Sequence, residues 1–278
     1  MEIQAQDVIA LRERTGAGMM ECKNALVQTK GDAKEAEKLL KEKGLAAVEK
    51  RAGRATQEGK IFIQNNETNV VICEVTCETD FVSKNAEFIE IGNNIAKKAL
   101  ENKMTEITDD LSNMLLGLAT KIRENMKITR LALIDIPANA IFSSYIHSDG
   151  KTGVVAIVSA DPASAKDSEI VKEFAYDCCL HVAAFNPPYI RREDVPASEI
   201  DELKEIFTKQ TAELDKPEKV KEGIINGKIN KHYAEVCFLE QAFVKDDKMT
   251  VARKIEAVGK EVDAKLNIEK VVSYVLGA

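Results

Sequence analysis

No apolar run in this sequence approaches the roughly 20 residues needed to cross a bilayer. The stretch before Arg14 is polar and amphipathic, without the apolar core of a signal peptide. Both absences point to a protein of the cytoplasm. Positive charge is not in excess either: 39 Lys and Arg stand against 46 Asp and Glu, a net of −7 with a pI near 5.3. That balance argues against a nucleic-acid binder held by phosphate contacts. There are three histidines, His147, His181 and His232, and none falls in an H-E-x-x-H or related metal-ligand spacing. The chain has no G-x-x-x-x-G-K-[ST] phosphate loop, no G-x-G-x-x-G fingerprint and no G-x-S-x-G elbow. Sequence therefore points to no catalytic residue, no metal and no cofactor, and excludes nucleotide binding by any recognised motif.

Six cysteines are scattered at 22, 73, 77, 178, 179 and 237, without the density or regular spacing of a disulfide framework. Cys73 and Cys77 share a face of an expected strand but lie too far apart along it to be bridged. Cys178-Cys179-Leu180-His181 invites a metal reading. Adjacent cysteines on a helix point in different directions, however, and zinc pairs need two to four residues between them. Packing on a buried helix is the better account of both cysteines and of His181.

What remains is an ordinary globular composition: 45% hydrophobic, 31% charged and 5% aromatic, with no tryptophan. A length of 278 residues suggests two or three compact units. Charge is uneven along it. Residues 1–60 carry twelve Lys/Arg and ten Asp/Glu, a net of +2, and the rest carries −9. The N-terminal unit is thus the part suited to an acidic surface.

The pattern predicts an α+β fold. Residues 1–55 read as three short helices: one to about Arg14 with Val8 and Leu11 inward, one from Met19 to Lys30 with Cys22 and Leu26 inward, and one capped at Asp32 and ending at Gly44. The turn Thr15-Gly16-Ala17-Gly18 separates the first two. Lys50 to Arg54 reads as a linker or a fraying helix end. Residues 56–138 follow as a strand pair (60–64 and 70–76), a helix from Ser83 to about Asn102, another from Asp109 to about Asn125, and a strand over 128–136. Residues 139–278 repeat that order: a hairpin of 141–147 and 153–159, a helix over 164–185, a helix near 250–266 and a last strand over 267–276. Two related subdomains with small antiparallel sheets are expected. The second carries an insertion at about 190–236. There Ile200, Leu203, Phe207, Gln210 and Leu214 step by three and four, Asp215-Lys216-Pro217 turns, and Val220, Ile224 and Ile225 return. So short a turn requires an antiparallel coiled-coil hairpin.

Two segments exceed what a fold requires: Arg12-Glu13-Arg14-Thr15-Gly16-Ala17-Gly18-Met19-Met20, and Cys77-Glu78-Thr79-Asp80-Phe81-Val82 at a strand-to-helix corner. Pattern alone leaves two readings of the second. Asp80 caps a helix and Phe81 enters the core, or Phe81 stands out as a contact. Of Met19 and Met20, one is expected to face inward as core filler.

With both segments in this order, together with Ile72-Cys73-Glu74-Val75, Glu124-Asn125 and His181-Val182-Ala183-Ala184, the chain resembles the elongation factor Ts family over nearly its whole length. The resemblance implies a non-enzymatic nucleotide-exchange protein whose partner is the nucleotide domain of elongation factor Tu, with no direct contact to nucleic acid or membrane. It implies that Thr79, Asp80, Phe81 and Val82 intrude near the partner's magnesium site. The N-terminal bundle, similar to a ubiquitin-associated domain, would dock through Arg12, Met19, Met20 and Lys23. Asn125 and His147 are weaker contact candidates, and dimerisation through core or hairpin stays open. Some relatives add a further C-terminal helix that touches Tu, and this sequence ends at Ala278. The alternative class is a helical adaptor whose N-terminal domain binds other partners.

Overall fold

The computed structural model describes residues 3–278; residues 1–2, the expected start of the first helical segment, lie outside the described residues. The fold is α+β with small sheets and divides into two compact units. One is formed by the chain up to Ile134 with Ser148–Lys151 and Tyr274–Ala278; the other by Asp135–His147 and Thr152–Ser273.

The first unit opens with three helices, α1 (Ala5–Thr15), α2 (Met19–Gln28) and α3 (Ala33–Arg51). Val8, Leu11, Cys22, Ala25, Leu26, Ala36 and Leu40 form their shared core, as the 3.6-residue spacing requires. Gly16 closes α1 in the left-handed region at φ 65, and its N–H donates to the Arg12 carbonyl. Asp32 caps α3 by accepting from the Lys34 and Glu35 N–H groups. The expected stop at Gly44 is wrong, because α3 runs on to Arg51. A Cβ on Gly44 would lie 2.6 Å from Thr120 Cγ2. The glycine serves close packing of helices, at a helix cost of about 1 kcal/mol, and does not end the helix. The last turn of α3 is anchored by Arg51, which donates to the Ala119 carbonyl at 3.3 Å, so of the two readings of this segment Lys50–Arg51 takes the helical one.

A sheet of order β1-β2-β3 follows, with β1 (Glu58–Asn65), β2 (Asn69–Cys77) and β3 (Met126–Asp135). β1 and β2 are an antiparallel hairpin running from Glu58 opposite Cys77 to Asn65 opposite Val70. Asn66 Oδ1 fixes its turn by accepting from the Thr68 and Asn69 N–H groups. Every residue of the central strand β2 is buried. Between β2 and β3 come α4 (Asp80–Ser83), α5 (Ala86–Glu101) and α6 (Asp109–Ile122). The helix expected from Ser83 is α5, starting three residues later: Ser83 ends the separate turn α4, and the Asn85 side chain caps α5 through the Glu87 N–H.

The second unit has a sheet of order β4-β5-β8, with β4 (Ala140–Ile146), β5 (Thr152–Asp161) and β8 (Lys265–Val275). A 3-10 turn, Ala163–Asp167, precedes α7 (Glu169–Phe185), where one continuous helix is expected from sequence. Pro162 sets the extended residue before that turn. The helices α8 (Ala197–Ala212) and α9 (Glu218–Val236) pair antiparallel, with Gln210 opposite Lys228 and Glu199 opposite His232. Their buried seam differs from the expected one. It runs through Ile200, Leu203, Phe207 and Thr211 against Ile225 and Ile229, while Gln210, Leu214 and Val220 are exposed. Thr211 fits because its hydroxyl bonds back to the Phe207 carbonyl at 2.8 Å, satisfying a buried polar group within the helix. The short strands β6 (Ala242–Phe243) and β7 (Asp246–Thr250) are too brief to show an alternation in sequence. The following helix α10 spans Val251–Glu261, and β8 begins at Lys265, two residues before the expected strand start.

Candidate partner-binding site at the strand-to-helix corner

Where β2 ends, the chain must turn into α5, and it does so over Glu78–Asn85. Val82 is buried in the core of the first unit beside Val75, Cys77 and Phe88. Phe81, next to it, is 83% exposed. The sequence leaves open whether this ring packs inward; the structure turns it out. In so short a helix, successive side chains point about 100° apart, so anchoring Val82 in the core forces Phe81 away from it. Most of the ring's apolar surface therefore stands in water, where a partner's surface could bury it.

The corner is braced by two carboxylates. Glu124, at the start of the approach to β3, accepts from the backbone N–H groups of Glu78 and Thr79, both at 3.1 Å, and from the Thr79 hydroxyl at 2.6 Å. Glu78 in turn accepts from the Asn125 N–H at 2.7 Å and pairs with Arg54 at 3.4 Å. Thr79 stands at the N-cap of α4 but makes no side-chain cap bond there; its hydroxyl is committed to Glu124 instead. Asp80 pairs with Lys84 one turn on at 2.6 Å, and this hydrogen bond first of all holds its carboxyl below the usual range. Asp80 is therefore an anion at neutral pH, beside the exposed ring.

Asn125, expected as a contact residue, is 3% exposed, and its amide donates to the carbonyls of Ala52 and Arg54. Its side chain braces the segment after α3 and is not presented to a partner. His147 is exposed, with Nδ1 3.0 Å from the Tyr145 hydroxyl. In the N-terminal helices both methionines are exposed, Met19 at 45% and Met20 at 63%. Neither faces inward as expected, because Cys22, Ala25 and Leu26 already fill that face of α2. Met20, Lys23 and Val27 follow one another at helical spacing on the outer face, and Ile9 and Arg12 do the same on α1, all exposed. Val27 and Ile9 were legible from that spacing; Glu124 was not, since it lies 45 residues from Thr79 in the chain.

The cysteine and histidine chemistry weighed from sequence finds ordinary packing. Burial pushes the thiols of Cys73, Cys77 and Cys179 up to about 12, and raises Cys178 as well. A reactive cysteine needs the opposite shift. His181 is buried; its Nδ1 accepts from the Val244 N–H at 3.2 Å and its Nε2 lies 2.8 Å from Gln241 Oε1. That pattern specifies the neutral ring with the proton on Nε2, and burial lowers its pKa. Among the described residues, no three His, Cys, Asp or Glu side chains cluster as a metal site, and no helix is long and apolar enough to cross a membrane.

Comparison with known proteins gives one consistent answer. A family model described as Elongation factor TS matches residues 78–278. Elongation factor Ts of Treponema denticola is 56% identical over 277 residues, spanning 100% of this chain and 99% of the relative. Its counterpart in Treponema pallidum is 49% identical over 288 residues, again 100% and 99%. That of Borreliella burgdorferi is 40% identical over 267 residues, 96% of each. Matched over most of its length and by full-length relatives, with the Thr79–Val82 corner inside the matched region, this chain belongs to the elongation factor Ts family.

Proposed function

We propose that this protein is a nucleotide-exchange factor for elongation factor Tu, and that it accelerates GDP release by pressing Phe81 into the partner near its magnesium and phosphate site. The observation that carries this reading is an aromatic ring left 83% exposed on a corner tied down by three hydrogen bonds to Glu124. Magnesium demands near-octahedral geometry and tolerates little distortion, so a rigid apolar intrusion beside it displaces ligands without any reacting group. Phe81 is the anchor, Asp80 supplies charge and orientation, and Thr79 and Val82 hold the turn.

Exchange then follows from linkage. A factor that binds the empty partner more tightly than the loaded one weakens nucleotide binding by the same factor. A coupling of about 4 kcal/mol changes nucleotide affinity about a thousandfold. No covalent intermediate is required, and GTP loading follows when the more abundant nucleotide rebinds.

In the same reading residues 1–55 act as a bundle of the ubiquitin-associated type. Its outer stripe of Arg12, Met19, Met20 and Lys23 docks on the partner's nucleotide domain. Exposed methionines beside positive charge suit such a contact. Residues 56–138 carry the wedge. Residues 139–278 supply a second surface that includes His147, and α8–α9 form a coiled-coil arm open to Tu or to a second copy. The work is in the cytoplasm, in support of translation elongation.

Stopped-flow release of a fluorescent GDP from Tu tests the core of this. Phe81→Ala is expected to slow the accelerated release by roughly 30-fold, the scale of a hot-spot residue of about 2 kcal/mol, with an unchanged melting temperature. Release at the rate of the unaltered protein would overturn the wedge.

A further inference from the structure

Resting on the reading of Phe81 as the wedge, we infer that Glu124 is the positioning residue of exchange: its carboxylate aims the Phe81 ring without itself touching the partner nucleotide site. Three features of the corner lead there. First, α4 is a single turn of four residues, Asp80–Ser83, too short to hold its own direction. Second, the usual device for starting such a turn is missing. The N-cap Thr79 does not close on the helix with its side chain. Its hydroxyl, its N–H and the N–H of Glu78 all converge on the two oxygens of Glu124, at 2.6, 3.1 and 3.1 Å. Bonds to an ionised carboxylate are shorter and stronger than neutral ones, and three of them on two adjacent residues fix both position and rotation of the peptide that enters α4. Third, the brace is reciprocal. Glu78 returns the contact by accepting the Asn125 N–H at 2.7 Å, and the Asn125 amide reaches the Ala52 and Arg54 carbonyls. The two ends of the loop between β2 and β3 are thereby locked across each other, and the segment after α3 is fastened to the same lock.

The hydrogen bonds set the geometry at one point that Phe81 inherits. Val82 fixes the corner from the core side, and Glu124 fixes it from the outside. With only the first anchor the turn could pivot about Val82, and a ring displaced by about 1 Å loses much of its leverage on a rigid site. Glu124 itself is half-buried behind the corner, so its effect has to pass through Thr79 to Phe81.

A double-mutant cycle in the full-length chain separates this role from plain stabilisation. Fluorescent-GDP release from Tu is followed against factor concentration for Glu124→Ala, Glu124→Gln, Phe81→Ala and the pair Glu124→Ala with Phe81→Ala. Glutamine keeps the volume and one acceptor but turns an amide against the backbone N–H groups. Both Glu124 variants are expected to lower the maximal rate, the alanine roughly tenfold or more, while half-saturating concentration changes little. The pair is expected to be no slower than Phe81→Ala alone. Full multiplication of the two losses in the pair would overturn the inference, as would Glu124→Gln at the unaltered rate while Phe81→Ala is slow. So would loss of the folded melting transition in both Glu124 variants, which would make the residue a stability element. Phe81→Ala at the unaltered rate would instead sink the wedge reading on which this rests.

Discussion

The two units place their central strands alike and end them differently. In each sheet the second strand of a hairpin is central, flanked by the first strand and by a later one, and β2 and β5 are buried along almost their whole length. Each then leads to a helix that sends a phenylalanine into the core, Phe88 on α5 and Phe174 on α7. Each of these meets a second ring, Phe62 at 6.2 Å and Phe243 at 6.3 Å. At the corner the likeness stops. After β5 the chain passes through Pro162 into a turn of small and charged residues, Ala163-Ser164-Ala165-Lys166-Asp167, with no large apolar side chain turned out. After β2 it builds α4, exposes Phe81 and ties the turn to Glu124. A framework that works twice does not need this corner for stability. In the function proposed above, the exposed apolar surface and the two-carboxylate brace found there serve recognition.

The comparison can be broken most forcefully in the shared part. Phe88→Ala and Phe174→Ala should each cost about 3–5 kcal/mol, with amide-exchange protection falling in β1, β2 and α5 for the first and in β4, β5 and α7 for the second. Equal loss throughout the chain for either variant would contradict two separate cores. A smaller effect is expected at the one charge buried in a central strand. Glu74 on β2 pairs with Arg130 at 2.5 Å and is also held by the Thr129 hydroxyl, and Arg130 lies 4.5 Å from the Tyr274 ring centroid. Glu74→Ala removes the guanidinium's anionic partner, leaving it the Val275 carbonyl and the Tyr274 ring, and should destabilise the first unit by ~1–2 kcal/mol, while β5 has no counterpart to lose. Urea denaturation measures it, and a change under ~0.5 kcal/mol would remove the pair from the stability account.

The smallest effect is a pH dependence confined to the second unit. His181 is neutral when folded, with a pKa below its ordinary 6.5. The unfolded chain takes up the proton first, so the stability this burial contributes is present above about pH 6.5 and is lost as pH falls through the folded value. His181→Gln supplies a donor and an acceptor without a titrating ring. Its melting temperature should drop less than that of the unaltered protein between about pH 7.5 and pH 5.5. Identical drops would show that other groups carry the acid sensitivity.

Much of this was legible beforehand. The strand pairs, the helical hairpin and the inward faces of α1 and α2 follow from spacing alone, because burial of one face imposes its period on the sequence. Two of the misses share a cause. Gly44 reads as a stop and is a close contact with Thr120; Gln210 and Leu214 fit a heptad, yet Thr211 occupies the seam. Asn125 looks like a polar contact and is an internal brace. For Gly44 and Asn125 a partner distant in sequence decided, and local pattern carries no record of it, whereas Thr211 is accommodated by a bond within its own helix.

By itself the sequence determined the α+β class, the paired strands, the helical hairpin and the candidate corner, since these rest on periodicity, turn chemistry and residue kind. Only the tertiary structure decided which way the corner faces. Val82 could enter the core only by turning Phe81 out, and the carboxylate that holds that choice comes from Glu124, brought next to Thr79 by folding alone.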